Sequence, residues 1–129
     1  MSREIKFRAW VENESVKSGP YPFMNHHIEF MGGLINDIFA TSGIKPLNPL
    51  HNKITYMQYT GLKDKHGKEI FEGDIVQFKS ARDITERYEV EYTDYGEWGI
   101  GVHRLAMRFK AFEVIGNIYE NLELLEGTA

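Results

Sequence analysis

Apolar and polar residues alternate with a period of two along much of this chain, the spacing of half-buried β-strands. At the start, Ile5, Phe7, Ala9 and Val11 fall on one face and Lys6, Arg8 and Trp10 on the other. Residues 3–11 therefore predict a strand with one face on a core. Trp10 on the polar side needs a covering neighbour or an interface. Residues 12–20, closed by Gly19-Pro20, predict a loop. The next stretch is less regular: Tyr21, Phe23, Met24, Ile28, Phe30, Met31, Leu34, Ile35, Ile38 and Phe39 are too many apolar groups for a surface loop. Ile28, Met31, Leu34/Ile35 and Ile38 recur at helical spacing, but Gly32-Gly33 interrupts them at about 1 kcal/mol per glycine. The expectation is an extended piece to Met31, then one or two helical turns from Leu34 to Ala40 ending near Ser42-Gly43. Pro46 and Pro49 make residues 44–52 a loop.

The clearest pattern follows, in MQYTGLKDKHGKEIFEGDIV, Met57 to Val76. Ile54, Tyr56, Gln58 and Thr60 alternate with Thr55, Met57 and Tyr59 in a β-branched and aromatic run that suits a pleated surface. Asp64-Lys65-His66-Gly67 is a turn: the Asp side chain can bond its own backbone, and Gly67 can take the positive φ such turns need. Ile70-Phe71 resumes the strand, Glu72-Gly73-Asp74 turns the chain, and Ile75-Val76-Gln77-Phe78 predicts another strand.

Beyond it, Lys79 to Glu86 predicts a charged, mobile loop, and Tyr88 to Tyr92 a clean strand. Asp94-Tyr95-Gly96-Glu97 predicts a hairpin turn. Trp98, Ile100 and Val102 then share a face, with Gly99, Gly101 and His103 opposite; two glycines on one face admit a bulge or the close approach of another backbone. Leu105, Met107 and Phe109 alternate with Ala106, Arg108 and Lys110 as a strand. Phe112 to Tyr119 predicts the last strand, kinked at Gly116-Asn117, and Asn121 can cap a short helix bearing Leu122, Leu124 and Leu125. The fold class expected is mostly β: a small antiparallel barrel or sandwich with minor helix.

The central stretch, with Arg3 to Trp10 (REIKFRAW) before it and Glu113 to Asn121 (EVIGNIYEN) after it, resembles the three typical blocks of the YopX-type family of phage and prophage proteins. The blocks cover roughly a third of the chain, in the family's order. The resemblance implies a mostly β domain of phage or prophage origin, soluble in the cytoplasm of a bacterial host. It brings no catalytic residue with it. The chain departs from the pattern between Val11 and Lys53. One domain over 1–129 is expected, with an insert-bearing part at 1–53 and a β core at 54–120.

Composition narrows the chemistry. Hydrophobic content of 42% and aromatic content of 13% are those of a folded protein, not a disordered tail. The absence of cysteine removes disulfides, thiolate nucleophiles and Cys-bound zinc together. The N-terminus lacks a continuous apolar h-region and no run approaches the roughly 18 residues of a membrane span, so a soluble, cytoplasmic protein is expected. Net charge is −4, unevenly spread: residues 1–56 hold 6 Lys+Arg and 5 Asp+Glu, residues 57–129 hold 9 and 14. The acidic C-terminal half disfavours broad binding to phosphate backbones.

Candidate chemistry is sparse. His26-His27 with His51 or Glu29 has no metal-site spacing, since adjacent residues of a strand point apart. His66 and His103 stand singly. Asp64, Glu72 and Asp74 suit turns, and Glu89 with Glu91 suits a solvated strand face better than a hydrolase pair. There is no nucleophile elbow and no phosphate loop; Gly99-Ile100-Gly101 is only a fragment of one. A non-enzymatic protein without cofactor or metal is expected. Its surplus apolar residues, Trp10, Phe23, Phe30, Leu34, Ile38 and Phe39, suggest an interaction surface for a homo-oligomer or for a phage or host protein. The alternative is a nucleic-acid site at Arg104, Arg108 and Lys110 beside Phe109 and Phe112, with Arg108 and Lys110 on one strand face.

Overall fold

Every strand pairing among the described residues is antiparallel, as short strands joined by Gly- and Asp-bearing turns require. The computed structural model describes residues 5–13, 22–26, 28–31, 34–37, 45–46 and 52–126. The fold is mostly β, with a single four-residue α-helix among the described residues. The chain divides into two compact units, Ile5–Gln58 and a second that begins at Tyr59.

In the first unit, β1 (Phe7–Asn13) lies between β2 (Phe23–Asn25) and β6 (Asn52–Lys63). Trp10 stands opposite Met24 on one side and Thr55 on the other. The sequence predicts one buried face for β1. In fact Arg8, Ala9, Trp10 and Val11 are all buried, Trp10 at 8% exposure. A separate small sheet joins β3 (Ile28–Met31), β4 (Leu34–Asp37) and β5 (Lys45–Pro46). Leu34–Asp37 is thus a strand, not the expected helical turn: Met31 pairs with Leu34 and Ile28 with Asp37. Two residues between two β-runs, here Gly32-Gly33, form a hairpin signal, and that outweighs the apolar spacing.

The second unit is built on five strands in the order β11-β10-β9-β8-β12: β8 (Asp74–Lys79), β9 (Thr85–Tyr92), β10 (Trp98–Ile100), β11 (His103–Arg104) and β12 (Glu113–Asn117). A short β7 (Glu69–Phe71) pairs with the end of β6, Tyr59 opposite Phe71 and Lys63 opposite Glu69. The register shifts between those pairs, where Gly61 has φ 85° and Thr60 Oγ1 donates to the Ile70 carbonyl at 2.7 Å. Ile70, Val76, Val90, Ile100, Leu105 and Phe112 form the core, all at 0% exposure, each worth about 1.5–3 kcal/mol on burial.

Four expectations fail here. Leu105–Arg108 is the helix α1, followed by a 3-10 turn at Phe109–Ala111, not a strand. The 79–86 segment is a tight hairpin rather than a mobile loop: Ser80 Oγ accepts the Arg82 and Ile84 N–H groups, and Asp83 takes φ 60°. Val102 leaves the Trp98–Ile100 face, lying 93% exposed in the turn after Gly101. At the end of the chain the expected kink is a bulge between Val114 and Gly116. Asn121 precedes a 3-10 turn, Leu122–Leu125, without capping it; its Oδ1 accepts the Asn117 N–H at 3.2 Å.

Candidate binding groove

The carboxylates of the central stretch hold backbone. Asp64 Oδ1 accepts the His66 and Lys68 N–H groups at 2.8 and 2.9 Å, and Oδ2 accepts the Val114 N–H at 2.8 Å. Asp74 Oδ2 accepts the Phe71 N–H at 2.7 Å, while the Gly73 N–H donates to the Val90 carbonyl at 2.9 Å. These acids close turns and leave no pair of free oxygens aimed at a common point.

The three basic candidates separate. Arg104, on β11, donates from Nε to Glu97 Oε2 at 2.8 Å. Arg108, on α1, lays its guanidinium over the Phe78 and Phe112 rings at 5.5 and 5.7 Å. Lys110 sits over Phe109 at 5.7 Å. A shared strand face for Arg108 and Lys110 does not exist, because that segment is helical. Of the apolar candidates, Trp10 is buried and Phe23 half-buried. Phe30 and Leu34 lie on β3 and β4, while Ile38 and Phe39 fall outside the described residues, as do His27 and His51.

A concavity that sequence reasoning did not name opens at the β9–β11 end of the second unit. It encloses about 560 Å³ and is lined by residues of β9, β10, β11 and their turns, including Glu91, Asp94, Tyr95 and Val102. Glu91 on β9 pairs with Gly99 on β10, which pairs with Arg104 on β11. Gly99 therefore places no side chain of its own between two long ones in one row. A Cβ at Gly99 would lie 2.6 Å from Thr93 Cγ2, and Gly101 has φ +62°, so both positions need glycine. The rim is apolar: Tyr95 is 92% and Val102 93% exposed. The Thr93–Glu97 turn that carries Tyr95 is closed by Thr93 N–H to Glu97 carbonyl at 2.7 Å and Gly96 N–H to Thr93 carbonyl at 3.0 Å. Tyr92 is steadied edge-on against Trp98, ring centroids 5.0 Å apart. The glycines were the legible signal; what the sequence did not reveal is that Val102 turns outward.

Acidic charge continues beside the groove. Glu89 is pushed above the usual carboxylate range, first by burial, then by Glu91 and Glu72. With the folded pKa raised, the folded state binds a proton more readily than the unfolded chain, so stability falls as pH rises through the raised value. Glu89→Gln is expected to stabilise the protein at pH 7 by less than about 1 kcal/mol, because solvent screens partly exposed charges. The advantage should vanish near pH 4, where the unfolded glutamate is itself about half protonated. Urea titrations at the two pH values measure it; a destabilised variant at pH 7 would show that Glu89 is held by attraction instead.

The profile of the YopX protein family matches residues 6–126. The chain belongs to the YopX family. Its fold is similar to that of protein EF1440 from Enterococcus faecalis, with 27% identity, TM-score 0.52, and coverage of 97% of this chain and 100% of that one. It is also similar to YopX from Bacillus subtilis, with 20% identity, TM-score 0.60, and coverage of 93% and 97%. No curated protein matches. Membership in the YopX family thus accounts for the three sequence blocks, and the central one is here a set of backbone-holding turns. Among the described residues, no helix is long and apolar enough to cross a membrane.

Proposed function

We propose that this YopX-family chain is a phage- or prophage-encoded accessory protein that works in the host cytoplasm by binding, as a homo-oligomer, and not by catalysis. The observation that carries the binding reading is the groove at the β9–β11 end, whose rim displays Tyr95 and Val102 almost fully to solvent. Large apolar groups presented beside a concavity are the usual mark of an interaction site. The Asp64 and Asp74 carboxylates accept backbone N–H groups of their own turns and of Val114.

Self-assembly is assigned to the first unit. Its β3–β5 sheet has three short strands, and so small a sheet gains stability by packing an apolar face on something else. The sequence Ile28, Phe30, Met31, Leu34, Ile35 makes these strands rich in apolar residues, and another copy is the commonest partner. Size-exclusion chromatography with light scattering, over about a tenfold concentration range, tests this. A mass that is a multiple of 15.0 kDa is expected; the monomer mass at every concentration would remove the assembly reading.

A further inference from the structure

We infer that the β9–β11 groove binds a basic segment of a partner protein, seating a Lys or Arg side chain between Glu91 and the Thr93–Glu97 turn. This deepens the binding reading and is independent of self-assembly.

Shape comes first. Glycine at the centre of the Glu91–Gly99–Arg104 row adds no side chain of its own to the groove, and the Thr93 methyl packs against it. The open space of about 560 Å³ beside them admits a long, narrow side chain. The charges around the groove then set its sign. Glu97 is already engaged by Arg104 at 2.8 Å, whereas neither Glu91 nor Asp94 has an ion-pair partner among the described residues. Both line the groove and both are exposed. Beyond Glu91, Glu89 and Glu72 add negative charge, and Glu89 is pushed upward first by burial and then by Glu91 and Glu72.

The exposed Tyr95 and Val102 complete the match. Lys and Arg have apolar stems below their charged heads, and a cation beside a tyrosine ring is attracted by the ring's negative face. Carboxylates together with an aromatic rim therefore recognise a basic side chain better than a neutral apolar one. Nucleic acid is the wrong sign for this surface, and a bare metal ion would find two free carboxylates in a space of about 560 Å³, far larger than its coordination shell.

The test uses the full chain and fluorescein-labelled Gly-Ser peptides carrying several lysines or arginines, with glutamine-for-lysine counterparts, read by fluorescence anisotropy. The basic peptides should bind, weaken as salt rises, and lose about tenfold in affinity in the Glu91→Gln/Asp94→Asn variant, with a smaller loss in Tyr95→Ser. A control variant, Glu123→Gln/Glu126→Gln, removes the same charge from exposed positions outside the groove and should bind as the wild type does. Basic peptides that bind no better than their glutamine counterparts would overturn the proposal. So would equal losses in groove and control variants, which would mean bulk attraction to an acidic protein. Light scattering on the same variants separates the two readings. An oligomer that keeps its mass but ignores the peptides loses only the groove assignment, and an oligomer that dissociates in the groove variant replaces the basic partner with a second copy.

Discussion

Asp64→Ala is expected to lower the stability of the fold by about 2–4 kcal/mol, because one carboxylate satisfies three backbone donors and an unsatisfied donor costs about 1–3 kcal/mol when water cannot replace the partner. Two of the donors, His66 and Lys68 N–H, lie in the exposed turn, where water can substitute. The third, Val114 N–H, lies fifty positions away at the start of β12, and Lys65 N–H donates to the neighbouring Phe112 carbonyl at 3.0 Å. The turn is therefore docked on β12 through Asp64, and the Val114 bond dominates the loss. Asp64→Asn discriminates better than alanine. Its one carbonyl oxygen can serve one side, but its NH₂ then faces a backbone N–H on the other, so most of the loss should persist. The pH dependence follows from the same geometry. Burial alone would raise Asp64, but the Val114, Lys68 and His66 amides and the nearby His66 ring together hold it below the ordinary carboxylate value. A depressed folded pKa gives stability that is full above the unfolded value and lost as pH falls through the folded one. The gap between wild type and Asp64→Asn should be complete at pH 7 and shrink below about pH 4. Urea unfolding across that range measures it, and an Asp64→Asn protein as stable as wild type at pH 7 would show that the charge is dispensable.

That turn was readable from sequence because local chemistry specifies it. Asp64 is where a side-chain acceptor is needed, and Gly67 and Gly73, at φ 81° and 83°, are where only glycine sits without strain. Where the sequence misled, tertiary contacts chose between patterns that a short window cannot separate. Leu105, Met107 and Phe109 alternate like a strand, yet Leu105 alone is fully buried and Met107 is 74% exposed; a stretch so short is too brief to tell a period of 2 from 3.6. The proposed basic strip depended on that strand and disappeared with it. The 79–86 hairpin was missed because Asp83, a non-glycine residue, takes the left-handed conformation there, which aspartate tolerates without announcing it. Half of the groove was legible in Gly99 and Gly101. The other half, the exposure of Tyr95 and Val102, depends on how β10 turns into β11.

Phe112→Ala should have the largest effect, a loss of about 3–5 kcal/mol, the usual range for deleting a buried aromatic ring. Phe112 is fully buried in the cluster of Ile70, Val76, Val90, Ile100 and Leu105, and its ring packs on Phe78 and Tyr88 at 5.5 and 6.1 Å. Strands and helix converge there, so the site cannot collapse without moving several elements, which places the cost toward the upper end. Deleting the ring also removes part of the Arg108 seat, but the guanidinium also lies over Phe78, and such stacking contributes about 0.5–1 kcal/mol; Arg108→Met, which keeps the stem, should therefore cost far less than Phe112→Ala. The Asp64 and Phe112 changes should not add. Both loosen the same docking of the 64–68 turn on the start of β12, since Lys65 bonds the Phe112 carbonyl and Asp64 bonds the Val114 amide, and residues sharing a network couple by about 0.5–3 kcal/mol. In a double-mutant cycle followed by urea unfolding, the second substitution should cost less than it does alone. Strict additivity would mean that the turn and the core are held independently, and that the Asp64 carboxylate stabilises only its own loop.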